Sequence, residues 1–365
     1  MTPDHSSSVA DNYYKKFAGT NFVTKASGTL IEKRNTFQGV LRAQQTFMRH
    51  DIRCVLVHGG GKQLSRALKD STMHPETHLR ITPKEAIPTL ERELVEISNT
   101  IASECVKLNI PHIVLPHSIT RATRRLGHGE TGEVSAVKAW QIINEANCRR
   151  LVIVPFGGVE GKMDEDDGAT LNVNADEVAW RTAASIEASK LIFLTNEEGI
   201  MVPGKNGKKV RKSFLDIHNL LLLLRKKTLS GRFVIAEGMV PKVEACIQAL
   251  AHGVKQVHML KPSLEAILAE VLTHTGSGTL IEKKHPIELV FPATEKHYND
   301  IMQLREECSS HTTPSGVPLL KPLSGLGLRY VLNKTLVLEH RGTVVGTIYI
   351  HHLQGRPNIA MLGGF

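Results

Sequence analysis

Six short apolar runs punctuate the chain between positions 21 and 285: "NFVTKASG", "RCVLVHGGG", "PHIVLP", "RRLVIVPFGG", "KLIFLTNEEG" and "KQVHML". Within each run the apolar residues follow one another instead of alternating with polar ones. Such strands are buried on both faces. Segments of helical spacing lie between them, such as "NTFQGVLRAQQTFMRHD", "LERELVEISNTIASECVKLN", "AVKAWQIINEAN", "NADEVAWRTAASIEA" and "VEACIQALAHG". A helix returning the chain to the same end of the sheet lets successive strands run parallel. The pattern predicts an α/β fold: a three-layer αβα sandwich around a mostly parallel sheet, spanning residues 21–285.

The rhythm changes after that. A strand ("IELVFPAT") and a helix ("EKHYNDIMQLREEC") precede a Pro/Gly/Ser-rich stretch and a hairpin, "KTLVLEHRGTVVGTIYIHHL". Residues 286–365 therefore read as the front part of a smaller α+β domain, and 365 residues suit two domains. Residues 1–20 are polar, lack the apolar centre of a signal peptide, and read as a tail.

Composition narrows the function. The net charge of +9 invites a nucleic-acid reading, but aromatics are only 5% and the basic runs are scattered. No helix-turn-helix, zinc-finger or RNP pattern accompanies them, so no nucleic-acid partner is expected. The positive surface suits small anions. Five cysteines, odd in number and without CxxC, point to reduced thiols in the cytoplasm and to no structural metal. "NLLLLLRKK" is far too short to span a membrane.

Several segments carry residues suited to phosphate chemistry. "VLVHGGGKQL" places three glycines at the end of a buried strand, where free N–H groups can approach a phosphate, although a plain strand-to-helix turn reads the same way. His58 beside them reads as structural. Lys25 ends the first strand and Lys242 stands at a helix entrance in "EGMVPKVEA". Each is either a solvated surface charge or a counter-charge for a moving phosphoryl group, and ligands do bind at the carboxyl ends of parallel strands. Asn172, Asn174 and Asp176 precede a helix, where capping accounts for one of the three. Arg80 suits either a surface ion pair or a fork on a carboxylate. The basic, glycine-rich loop in "NEEGIMVPGKNGKKVRK" is placed to close over a nucleotide.

One string recurs. Residues 27–34 read "SGTLIEKR" and 277–284 read "SGTLIEKK". A structural repeat would extend into the flanks, yet "FVTKA" precedes one copy and "LTHTG" the other. The match is therefore not a structural repeat, and the two copies need separate explanations.

In order along the chain, K-x-x-G, HGGG, LRIT, LGH…GEV, NVNAD, LT-x-x-x-GI, GMVPKVEA and G-x-GT resemble the amino-acid kinase family, specifically the N-acetylglutamate kinases. The resemblance covers about residues 20–285. It implies ATP with Mg²⁺, N-acetylglutamate as phosphoryl acceptor, and a role in arginine biosynthesis. Lys25 and Lys242 would stabilise the moving phosphoryl group, with Asp176 holding them in place. Gly28, Gly59 and Gly60 would cradle the phosphates, with Asn196 and Gly199 on the nucleotide side. Arg80 and Asn172 would clamp the acceptor's carboxylates. A homo-oligomer and an arginine effector belong to the same picture. The chain departs from the family pattern at Ser27, usually glycine, and at Asn196, usually aspartate. The segment after about 287 resembles the start of a GNAT acetyltransferase, as fused to this kinase fold in N-acetylglutamate synthases. With Phe365 at the end of that fold's fourth strand, acetyl transfer is not expected. An incomplete synthase or bifunctional synthase/kinase, and a non-catalytic arginine sensor, are the alternative readings.

Overall fold

Strand β1 (Asn21–Ala26) is buried at its last five positions and β2 (Arg53–His58) likewise, so neither can lie at a surface. They pair in parallel, and on its other edge β1 pairs in parallel with β9 (Lys190–Leu194). These three strands form the centre of an eight-stranded sheet in a computed structural model. The sheet also contains β3 (His112–Val114), β6 (Leu151–Pro155), β12 (Phe214–Asp216), β13 (Gln256–Leu260) and β14 (Thr279–Glu282), in the order β12-β14-β13-β9-β1-β2-β6-β3. All its pairings are parallel except β13–β14. The structure describes residues 13–60, 64–66, 72, 74, 79–163, 168–204, 208–227, 233–272, 276–283, 289–310, 332–340, 343–353 and 356–363.

Alternation along each strand feeds two cores, one on each face. Val23, Val55 and Val57 join one cluster with Val178, Ala179 and Val243, whereas Phe22, Leu56 and Ile153 join the other with Phe37, Leu41 and Ile101. The helices supply the matching faces. In α2 (Arg34–Arg49) the buried residues Phe37, Val40, Leu41, Gln44 and Phe47 recur every three or four positions, giving one apolar stripe. Helix α3 (Ile87–Lys107) covers the same side. Helices α4 (Ala139–Asn147), α5 (Ala175–Ser185) and α7 (Val240–Ala251) cover the opposite one. The expected three-layer sandwich is the observed one.

Hydrophobic pattern does not reveal a second piece of this unit. The polar stretch from 120 to 137 forms β4 (Thr120–Arg124) and β5 (Thr131–Val137), which close a four-stranded barrel with β7 (Gly158–Glu160) and β8 (Thr170–Val173). The basic loop after β9 begins as a short hairpin of β10 (Met201–Pro203) and β11 (Lys209–Arg211), and its tip lies outside the described residues. The leucine-rich run is helix α6 (Ile217–Arg225), and α8 (Leu264–Leu272) precedes β14. Most of "KQLSRALKD", expected to be helical, lies outside the described residues, and 64–66 is helical.

The chain divides into two compact units, Met1–Lys284 and His285–Phe365. The second consists of β15 (Leu289–Pro292), α9 (Tyr298–Ser310), β16 (Thr335–His340), β17 (Thr343–Leu353) and β18 (Arg356–Gly363). Its sheet is antiparallel in the order β15-β16-β17-β18, around a small core of Ala293, Ile301, Leu332, Val337 and Val344. The Pro/Gly/Ser-rich stretch lies outside the described residues.

Candidate active site

Parallel strands deliver their carboxyl ends to one edge of a sheet, and two of the sequence-derived lysines converge there. Lys25 is the fifth residue of β1, held between Val57 of β2 and Phe193 of β9. Asp176 is the second residue of α5, and Lys242 the third of α7, just after Pro241. Pro and Asn settle the local geometry. Proline is favoured in a first helical turn because its missing N–H would have no partner there. Asn174 caps α5, its Oδ1 accepting the Asp176 N–H at 2.9 Å. With Asn174 in that role, the Asp176 carboxylate is left to face the lysines.

The carboxylate is shared. Lys25 Nζ lies 2.6 Å from Oδ1 and Lys242 Nζ 3.1 Å from Oδ2. Lys25 and Asp176 are 6% and 7% exposed in their side chains, and Lys242 is 24% exposed, which makes Lys242 the open end of the triad. Burial pushes the Asp176 carboxyl up, but the two ammonium groups outweigh it and hold the group below the ordinary aspartate value. Burial also pulls Lys25 down, Lys242 adds to that, and the attraction of Asp176 opposes both. Two cations and one anion leave one positive charge in a poorly hydrated place. Such a site is built to receive an anion.

The glycines around it divide their work. Gly28 opens the short helix α1 (Gly28–Ile31), whose first N–H groups have no acceptor within the helix. The Gly59 N–H already donates to Ala26 O at 3.0 Å, so it is not available as a phosphate donor in this state. Gly59 and Gly60 instead permit close approach: a Cβ there would lie 3.0 Å from Ala175 Cβ or 2.6 Å from the Phe156 ring. Asn196 is exposed beyond β9. Gly199, with φ +148°, has no room for a side chain, because a Cβ would overlap Thr279 Oγ1. No hydrogen bond or ion pair joins either residue to the triad among the described residues. Thr279 accepts from Ile200 N (2.8 Å) and donates to Lys212 O (2.5 Å), which gives the second "SGT" string a structural role.

Arg80 and Asn172 are linked by two residues that sequence reasoning did not single out. Asn172 on β8 is buried, and its Nδ2 donates to Thr82 Oγ1 at 2.9 Å. Thr82 and Thr131 hydroxyls are 3.0 Å apart, and Thr131 Oγ1 donates to Arg80 O at 2.6 Å. Because the Thr131 proton is used on Arg80, Thr82 must donate to Thr131, and the hydroxyl chain is fully satisfied. The Arg80 head donates to Ser65 Oγ at 2.7 Å. Thr82 ends the LRIT string and was visible for that reason alone; Thr131 carries no signal.

His58 is structural, as expected. Its Nε2 pairs with Ser98 Oγ at 2.9 Å, its ring meets the edge of Phe156, and burial pulls its pKa down to about 3. The neutral ring in the folded state has a consequence for acid stability. An unfolded histidine takes a proton below about pH 6.5, which the folded one refuses until about pH 3. Stability is full above pH 6.5 and declines as pH falls, by about 1.4 kcal/mol per unit. A His58→Gln variant should flatten that slope: between pH 7 and pH 5 its unfolding free energy, read from urea titrations, should fall by about 2 kcal/mol less than that of the parent. Parallel curves for the two proteins would contradict this assignment.

The model of the amino acid kinase family matches residues 21–261. An acetylglutamate kinase of Halothermothrix orenii is 31% identical over 288 residues, covering 74% of this chain and 94% of that protein. One from Prochlorococcus marinus is 29% identical over 283 residues, with the same coverages. Among solved structures, an N-acetylglutamate synthase from Neisseria gonorrhoeae complexed with coenzyme A and L-arginine aligns with TM-score 0.76 at 20% identity, covering 98% of this chain and 80% of that one. A carbamate kinase from Giardia lamblia bound to AMP-PNP aligns with TM-score 0.52 at 16% identity, over 73% and 99%. At these identities the structural likenesses establish the fold.

Proposed function

We propose, because this chain belongs to the amino acid kinase family, that it transfers the terminal phosphoryl group of ATP to the side-chain carboxylate of N-acetyl-L-glutamate, a step in arginine biosynthesis. The observation that carries the reading is the Lys25–Asp176–Lys242 triad, with one lysine on each carboxylate oxygen. Phosphoryl transfer asks the protein for position and positive charge more than for covalent chemistry. A carboxylate acceptor is already ionised at neutral pH, so no general base is required. Lys25 and Lys242 oppose the charge on the transferring oxygens, and Asp176 fixes where the two ammonium groups stand. Gly28 and Gly60 line the approach of the phosphates, and Arg80 with Asn172 holds the acceptor. Mg²⁺ would neutralise the phosphates of ATP, as in other phosphoryl transfers.

Side-by-side assays of ADP release with N-acetylglutamate, glutamate and aspartate test the reading. Turnover with N-acetylglutamate no greater than that of a folded Lys25→Ala control would sink it. Arg80→Ala should raise KM for N-acetylglutamate by about tenfold or more with a small change in kcat, since it removes a charge-assisted contact made in both ground and transition states. A lowered kcat at constant KM would take Arg80 out of the clamp.

A second reading is favoured by one observation: the likeness to the synthase covers 98% of this chain, both units included. Acetyl transfer from acetyl-CoA to glutamate, measured on the same protein, decides it. The free cysteines Cys54, Cys105, Cys148 and Cys246 support a cytoplasmic location. No helix among the described residues is long and apolar enough to cross a membrane. A homo-oligomer and an arginine effector complete the proposal; light scattering and calorimetry with arginine test them.

A further inference from the structure

We propose that Glu177 is a positioning residue for the acidic substrate, fastening the β4–β5 hairpin, and through it the Arg80 clamp, to the helix that carries Asp176. The identity of the substrate rests on the reading above; the fastening rests on geometry. Glu177 follows Asp176 directly in the first turn of α5 and its side chain is 13% exposed. Its Oε1 accepts the Val134 N–H of β5 at 2.9 Å. Its Oε2 accepts from Arg125 Nη2, just beyond β4, at 3.3 Å. One carboxylate thereby holds both sides of the hairpin.

The strand register explains why an acceptor is needed there. Strand β5 pairs with β8 only through Thr131–Asn172 and Gly132–Val173. Then β8 ends and the chain turns into α5. Val134 faces Ala122 of β4 on one edge but lies beyond the last position paired with β8 on the other, where a buried N–H left without an acceptor would destabilise the strand. Glu177, four residues after Val173, supplies that acceptor in place of a strand. Arg125 balances its charge and also reaches Glu133 at 3.4 Å. The carboxylate has little water around it, and burial is the first cause of its raised pKa.

From the hairpin the coupling passes to the clamp through backbone. Thr82 N donates to His128 O (3.1 Å) and Glu130 N donates to Thr82 O (2.7 Å). Thr131 Oγ1 donates to Arg80 O. Adjacent residues of α5 thus serve the two halves of the reaction: Asp176 the lysines, Glu177 the acceptor clamp. Arg125, Glu133, Asp176 and Glu177 also share the wall of an open groove of about 750 Å³, so the latch stands where the site meets solvent.

The test uses the full chain with Glu177→Ala and Glu177→Gln. The glutamine retains an acceptor for Val134 but loses the charge opposite Arg125. Expected for Glu177→Ala are a KM for N-acetylglutamate raised about tenfold, a KM for ATP within twofold, and kcat within about threefold. Glu177→Gln should recover most of the KM. Hydrogen exchange should accelerate at 120–137 in Glu177→Ala while β1 and β2 keep the parent rates. Unchanged exchange at 120–137 would overturn the latch. Exchange raised throughout the unit, with KM and kcat lost together and no rescue by glutamine, would overturn it in favour of a purely structural role. If the parent shows no turnover with N-acetylglutamate, the functional reading fails and the exchange experiment alone decides the latch.

Discussion

Replacing Lys242 with methionine should lower kcat by about a hundredfold or more and leave KM for N-acetylglutamate nearly unchanged. Methionine keeps most of the stem that enters α7 and removes only the ammonium, which lies 3.1 Å from Asp176. Negative charge on the transferring oxygens develops between donor and acceptor, so the lost interaction belongs mainly to the transition state. Removal of one preorganised electrostatic donor has an effect of that size. Steady-state kinetics with saturating ATP measure it. An intact kcat would make Lys242 a surface charge at a helix entrance and dissolve the triad as a phosphoryl site.

Asp176→Asn should cost more, because it damages activity and stability together. It leaves Lys25 buried beside a second ammonium with no anion between them. Breaking a buried pair by removing one partner costs about 3–5 kcal/mol. For a unit of this size that is a melting temperature lower by about ten degrees. Both lysines also lose their fixed positions, so kcat should fall below that of Lys242→Met. Calorimetry and kinetics on one preparation check both, and a variant that melts with the parent would show that the carboxylate does not anchor the lysines. Acid titration separates this site from His58. The folded-state pKa of Asp176 is depressed, so its contribution is full above the ordinary aspartate value and is lost only as pH falls through the lower folded one. His58 contributes to the decline that starts near pH 6.5, as does His117, whose pKa burial also lowers, and that decline should persist in Asp176→Asn.

How far the sequence reveals this molecule depends on where the information resides. The buried strands are legible because burial on two faces leaves only apolar residues to choose from, as in "RCVLVH" and "LVIVP". The small barrel is not legible: β4 reads "TRATR", with two exposed positions, and β7 has only three residues. Its strands are fixed by one another and by glycines such as Gly132 and Gly158, not by hydrophobic pattern. The recurrent heptapeptide makes the point most directly. Ser27 to Lys33 contains helix α1, whereas Ser277 to Lys283 contains strand β14. Local propensity is the same in both, so the surroundings decide. The triad was legible as motifs, since each charged member stands at an element end marked by Pro, Gly or Asn. The hydroxyl chain of Thr82 and Thr131 and the carboxylate of Glu177 were not, because threonine and glutamate have common solvated roles and only tertiary register gives these their partners.

The strand order has a consequence for biosynthesis. Among the described residues, strand β12 is an edge strand whose one neighbour is β14, made more than sixty residues later. As the chain leaves the ribosome, β1, β2, β6 and β9 can assemble first, since domains form from the amino-terminal side during synthesis. Phe214–Asp216 must then wait, unpaired, until Thr279–Glu282 emerges and slots between it and β13. Only that insertion brings Thr279 to Ile200 and Lys212. The loop after β9 is therefore the last part of that end of the sheet to be tied down, and nascent chains halted before residue 279 should carry an assembled central sheet with an open flank.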